Sequence, residues 1–509
     1  MSIAQLLTKL EELNIYIDVI DDTLKVQAPD GKLTTALIKE LKEKKQDIID
    51  FFQKNDQERK YISIPPAAEK AYYELSSAQM RMYFLQQMNL NNTVYNITQF
   101  IKLGALKGAD NREEPGIDVK KLEDTFKRLI ERHESLRTSF RMVKGRPTQK
   151  IHKEVDFKIE FFNKVADFVR TFDLTQAPLI RIGIIEAGPE DRLLGIDMHH
   201  IICDGVSYKI LVRDFYSLYR NESQLPPLRI HYKDYTEWQN SQKQKEAIKK
   251  QETYWLKEFP GEIPIIDIPT DFPRPAIQSF EGRKLFYEIT GETALMLTNM
   301  ALENGTTLYI ILLSILNILW SKLSSQEDII MGTPTAGRLH ADLENIIGMF
   351  VNTLTLRNYP GKEKTFKAFL HEVNQRTIEA FENQDYPFED LVEKLAVKRD
   401  ASRNPMFDLM FAWQDINSNV KSEISHYSKP LSRFDLTWGG MGNKYHLFFD
   451  IEYCTKLFEE DTILRFIEFF KRITSSIIEC SDRKIAQIEI ITEEEKNRIL
   501  YDFNDSEMT

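Results

Sequence analysis

Of the nine histidines in this 509-residue chain, two are adjacent, His199 and His200. They end the run Leu193-Leu194-Gly195-Ile196-Asp197-Met198 and precede Ile201-Ile202-Cys203-Asp204-Gly205-Val206-Ser207. The run reads as a strand. Side chains alternate faces along a strand, so the two imidazoles point to opposite sides: one can be buried while the other faces a cleft. Asp204-Gly205 reads as a turn that exposes the backbone N–H at the glycine. Three readings compete for the cluster. The first is a pair of hydrogen-bonded core histidines. The second is a metal site, disfavoured because adjacent strand histidines diverge and no further ligand stands at helical or hairpin spacing. The third is acid/base work on acyl transfer, since an imidazole with an ordinary pKa near 6.5 can position or deprotonate an amine or hydroxyl nucleophile.

The rest of the chain must hold that cluster. At roughly 100–200 residues per domain its length predicts about three compact units. With 42% hydrophobic and 28% charged residues it has ample material for globular cores. The net charge of -11 gives no electrostatic reason to expect nucleic acid or an anionic membrane as partner. Cys203, Cys454 and Cys480 are far apart and odd in number, which fits no disulfide framework or zinc ribbon and suits a reducing cytoplasm. Leu308 to Trp320 is the longest apolar run; it is too short to span a bilayer, which needs about 20 residues, and reads as a buried helix capped by Thr306 or Thr307.

Residues 1–55 read as a unit of their own. Leu6, Leu7, Leu10 and Leu13 mark a helix; Ile15, Ile17 and Val19, then Leu24, Val26 and Ala28, alternate as a β-hairpin; a second helix runs from about Thr34 to Phe52. A unit this small buries little surface, so a homodimer through it, or a partner, would stabilise it. Residues 56–68 read as a linker. The breaks at Pro226-Pro227 and from Pro260 to Pro275 predict two lobes, 69–245 and 246–491, followed by a short tail, 492–509.

His199 to Gly205 matches the HHxxxDG signature of nonribosomal peptide synthetase condensation domains, and further motifs accompany it in that family's order. Ser76-Ser77-Ala78-Gln79-Met80-Arg81 resembles SxAQxR, Arg132 to Phe140 resembles RHExLRTxF, and Tyr232 to Gln239 resembles YxDYAxWQ. Gly332 to Arg338 with Ile347 to Leu354, then Gln384 to Glu389, then Arg399 to Phe407 complete the set. Three departures are small: Asn383 where His is usual, Asp408 where an amide is common, and Val206 in place of a frequent Trp, a change expected to widen the site's entrance. Residues 1–55 are similar to tubulysin-synthetase-type docking domains.

The resemblance implies a mixed α+β, α/β fold: two chloramphenicol-acetyltransferase-like lobes in a V-shaped pseudo-dimer with a tunnel between them. It implies amide-bond formation between a donor acyl or peptidyl thioester and an acceptor aminoacyl thioester. Both are carried on phosphopantetheine arms of peptidyl carrier proteins, and the domain itself binds no cofactor and no metal. His200 is the expected catalytic group, with the Gly205 N–H at the oxyanion. Asp204 is expected to brace the site by pairing with Arg137, His199 to orient it from a buried position, and Ser207 to lie on the acceptor side. Val206 and Asn352 are expected at the tunnel, and Arg338 and Trp238 in mainly structural places. The upstream subunit's C-terminal tail would dock on Ile15, Ile17, Val19, Lys25, Lys39 and Lys42, and the tail at 492–509 would lead to an adenylation domain. A coenzyme A-dependent acyltransferase of the same fold and a non-catalytic carrier-recruiting platform are the competing readings.

Overall fold

A computed structural model describes residues 16–20, 23–27, 37, 41, 44–45, 63–103, 118–186, 192–220, 225–398, 400–415 and 431–502. The chain forms two compact units, Met1–Ile64 and Pro65–Thr509. In the first, β1 (Tyr16–Ile20) and β2 (Thr23–Gln27) pair antiparallel, with Ile17 opposite Val26 and Val19 opposite Leu24. This is the hairpin that the alternation predicts. Ile15, Lys39 and Lys42 lie outside the described residues.

The second unit has two halves with separate cores. In the first half, β3 (Tyr73–Glu74), β5 (Thr138–Val143) and β6 (Arg146–Ile151) form one small sheet in the order β3-β6-β5. A second sheet, in the order β4-β9-β8-β7, combines β4 (Asn96–Lys102), β7 (Glu160–Phe162), β8 (Ile180–Glu186) and β9 (Arg192–His199). Period-two alternation sends Ile182, Ile184, Leu194, Ile196 and Met198 to one face. There they meet Leu122, Phe126, Leu129 and Ile130 of helix Val119–Arg132 and Ile210, Leu211, Phe215 and Leu218 of helix Gly205–Arg220. The other face of β9 carries Asp197 and His199.

The second half is built on one mixed sheet of β10 (Gly282–Thr290), β11 (Ile329–Thr335), β12 (Asn352–Asn358), β13 (Leu409–Asp415), β14 (Leu436–Asn443) and β15 (His446–Cys454), ordered β10-β15-β14-β13-β11-β12. The apolar run becomes helix Leu308–Ser324, capped by Thr307, whose hydroxyl accepts the Ile310 N–H at 3.4 Å. It is buried from Ile310 through Ser321, as an all-round apolar helix must be. Trp255 on helix Gln242–Glu258 already belongs to this core. The stretch between β11 and β12 instead crosses over, because Ile347 and Met349 bury themselves in the first core.

Candidate active site

β9 ends at His199, and His200 begins a short 3-10 turn, His200–Ile202. The register pairs His199 with Asn96 of β4, and the His200 N–H donates to the Tyr95 carbonyl at 2.8 Å. His199 is fully buried. Its Nδ1 accepts the Ile201 N–H at 3.1 Å, so the ring proton sits on Nε2, 3.2 Å from Gln86 Oε1. Burial pushes its pKa down to about 3.

His200 is half-buried and poised differently. Its Nδ1 lies 2.9 Å from the Cys203 carbonyl. A carbonyl only accepts, so Nδ1 carries the proton and Nε2 keeps its lone pair. Burial first, then the Arg433 guanidinium and the neighbouring His199, pushes its pKa down to about 3. The ring is therefore neutral at pH 7, with an unprotonated Nε2.

Asp204 does not pair with Arg137. Its Oδ1 accepts from Arg338 Nη2 at 2.8 Å and from the Ser207 N–H at 2.7 Å, and its Oδ2 accepts the Phe350 N–H at 3.1 Å. Arg137 is turned elsewhere by its place at the end of the 3-10 turn Glu134–Arg137: it faces Glu134 at 3.5 Å and donates to the His152 carbonyl at 2.5 Å. Arg338 reaches Asp204 because the crossing stretch carries it there, and its guanidinium carbon lies over the Phe350 ring, 4.0 Å from the ring centre. Ser207, expected on the acceptor side, is fully buried in the same brace: its hydroxyl lies 2.8 Å from Asp204 Oδ1 and accepts the Gly348 N–H at 3.0 Å. Gly348 must be glycine, since a Cβ there would stand 1.8 Å from the Tyr232 ring.

Gly205 is not a turn residue but the first residue of the 16-residue helix Gly205–Arg220, and Asp204 caps that helix. It is exposed with open space at its Cα, and its N–H is one of the first-turn donors that a helix cannot satisfy internally. Val206 is half-buried against the first core. Asn352 has its amide occupied by protein: Nδ2 donates to the carbonyls of Gln384 (2.9 Å) and Tyr386 (2.7 Å), and Oδ1 accepts from Thr353 and Phe388. It fastens the Gln384–Phe388 loop to the start of β12. Ile17, Val19 and Lys25 lie on the hairpin strands of the first unit.

The remaining motifs interlock around this site. Ser76 caps helix Ser77–Met88 in a capping box with Gln79, and its hydroxyl meets the Tyr232 hydroxyl at 2.7 Å. Tyr232 in turn donates to the Met349 carbonyl, and Gln239 accepts the Ser77 N–H at 3.1 Å. Sequence reasoning missed Gln86, Tyr95 and Arg433 at the histidines, and it missed that Arg338 belongs to Asp204. Among the described residues no cluster of three His, Cys, Asp or Glu side chains could hold a metal ion, and no single helix is long and apolar enough to cross a membrane.

A neutral imidazole whose Nε2 has no partner among the described residues, close in sequence to a helix N-terminus and braced by a stretch that joins two sheet-and-helix halves, suits acyl transfer by general-base or positioning catalysis. The Condensation domain family matches residues 69–500 and the TubC N-terminal docking domain family matches residues 3–54. The chain belongs to the condensation domain family, with a TubC N-terminal docking domain at its N-terminal side. Gramicidin S synthase 2 of Brevibacillus brevis is 43% identical over 479 residues, 91% of this chain and 10% of that protein. Bacitracin synthase 3 of Bacillus licheniformis is 43% identical over 461 residues, 88% of this chain and 7% of that protein. The chain thus spans about a tenth or less of the length of these curated relatives. In fold it is similar to the X-domain in its complex with OxyB from teicoplanin biosynthesis, with a TM-score of 0.75 at 20% identity over 85% of this chain and 99% of that one.

Proposed function

We propose that this chain joins a donor acyl or peptidyl group to the amine of an acceptor aminoacyl group, each delivered as a thioester on the phosphopantetheine arm of a carrier protein. The amine nitrogen attacks the donor carbonyl carbon; the new N–C bond forms, the C–S bond breaks, and the donor arm leaves as its thiol. His200 Nε2 accepts the proton that the attacking amine loses, and that proton passes to the departing sulfur. An α-amino group titrates near 7.7–8.0, so part of it is already neutral, and His200 positions it as well as deprotonating it. Holding both thioesters in one tunnel supplies the proximity term, and the Gly205 N–H faces the developing oxyanion. Asp204, Arg338 and Ser207 keep the helix end and the crossing stretch in place.

The observation that carries this reading is the tautomer of His200: its Nδ1 is tied to the Cys203 carbonyl at 2.9 Å, which leaves Nε2 as the free base. Residues 1–55 would recruit the tail of an upstream subunit by edge pairing at the hairpin, and the segment from 492 onward would lead to an adenylation domain. Incubating the chain with two loaded carrier proteins should give a dipeptidyl thioester on the acceptor carrier. Consumption of acyl-coenzyme A with no turnover of acyl-carrier would overturn the reading.

A further inference from the structure

A contact between the two halves leads to His200 in three steps. The stretch from Leu431 to Asp435, which runs into β14, is fastened to the second half along its backbone. The Ser432 N–H donates to the Phe280 carbonyl at 3.0 Å and the Asp435 N–H to the Asp408 carbonyl at 3.1 Å. The Arg433 carbonyl accepts from Gln278 Nε2 at 3.0 Å and from Asn404 Nδ2 at 3.1 Å. From this mount the Arg433 side chain reaches into the first half, where Nε and Nη2 both donate to the Val94 carbonyl, at 3.2 and 2.9 Å. The guanidinium carbon lies 5.9 Å from the centre of the Tyr95 ring, and Tyr95 is the residue whose carbonyl receives the His200 N–H.

We infer that Arg433 is a positioning residue for His200: it holds the Val94-Tyr95 backbone to which His200 is bonded, and so ties the imidazole's place to the frame of the other half. Two charged N–H groups on one carbonyl make a stronger and more directional link than a neutral donor would. The Val94 side chain is buried, so the carbonyl it precedes cannot drift without disturbing packing. A small rotation between the halves would therefore move His200, and the reaction would be fastest in the arrangement that keeps this link. The inference rests on His200 being the reacting group, and the test separates the two.

Four variants of the chain, His200→Ala, Arg433→Ala, Arg433→Gln and Arg433→Lys, are assayed for condensation between loaded carriers, with kcat and the KM for each carrier measured separately. A misplacement of about 1 Å costs on the order of 10²-fold in rate, so Arg433→Ala should lower kcat by roughly that much while both KM values stay within about twofold. Lysine, which still donates to the Val94 carbonyl, should recover most of the loss and glutamine less. A fall in rate shared equally by all three Arg433 variants and matched by their melting temperatures overturns the inference as a purely structural stitch. Arg433→Ala within twofold of the parent overturns it as well. Activity surviving in His200→Ala would instead overturn the reading of the site, whatever the Arg433 variants do.

Discussion

His200 and His199 are adjacent but bonded differently, and the difference lies in which ring nitrogen is tied. His199 uses both nitrogens inside the protein, whereas among the described residues His200 has a hydrogen-bond partner at Nδ1 alone. His200→Ala should therefore abolish peptide-bond formation with a nearly unchanged melting curve. Because burial and Arg433 hold the His200 pKa near 3, well below its ordinary value, the base stays unprotonated across the working range. The rate should rise with pH through the acceptor amine's own titration, near 7.7–8.0, with no inflection near 6.5. Single-turnover rates from pH 5.5 to 9 check this, and an inflection near 6.5 would contradict it. Stability follows the same sign. His199 takes up its proton only in the unfolded chain between about pH 6.5 and its folded value near 3. Its contribution is complete above pH 6.5 and is lost as the pH falls through that window. Asp197, whose carboxyl burial raises to about 6, works in the opposite sense. The acid fall in melting temperature should thus be shallower in His199→Gln.

At the scale of elements, the helix Gly205–Arg220 is fixed at its start by one carboxylate that serves as cap, as ion-pair partner and as anchor for the Phe350 N–H. Asp204 is fully buried, and breaking a buried pair by removing one partner costs about 3–5 kcal/mol. Asp204→Ala and Arg338→Ala should both lower stability by roughly that amount and reduce activity with it, as read by chemical denaturation. Arg137→Ala loses one hydrogen bond to the His152 carbonyl and a local ion pair with Glu134, which also pairs with Lys233, and should cost about 1 kcal/mol. Equal effects at Arg137 and Arg338 would contradict the observed pairing. The resemblance pointed to Arg137 because it is the second arginine of the RHExLRTxF-like motif, Arg132 to Phe140. Arg338 was out of reach of that argument, since 134 residues separate it from Asp204 and its approach depends on Ile347 and Met349 choosing the first core. Helical caps, by contrast, were legible to within one residue: the sequence offers Thr306 or Thr307, and Thr307 caps because its hydroxyl meets an N–H three residues on.

For the whole molecule, the expected three units become a small N-terminal unit and one larger unit whose halves have separate cores but a shared site. Deleting residues 1–55 should leave the main melting transition in place. It should spare condensation from a carrier fused in cis and weaken it from a carrier supplied in trans. Equal loss in both formats would show that the segment serves the core fold and not recruitment.

Residue types and their spacing were enough for the order of the motifs, the hairpin of the first unit and the central helix of the second half. These depend on local periodicity, capping and residue type, which act over a few positions. Only the tertiary structure decided which arginine holds Asp204, that Ser207 is buried, and that Arg433 reaches Val94. The arginine, Ser207 and Arg433 placements follow from contacts between residues far apart in the chain, fixed by how two cores pack, and no local pattern encodes them; the helix start at Gly205 is local, set by Asp204 accepting the Ser207 N–H.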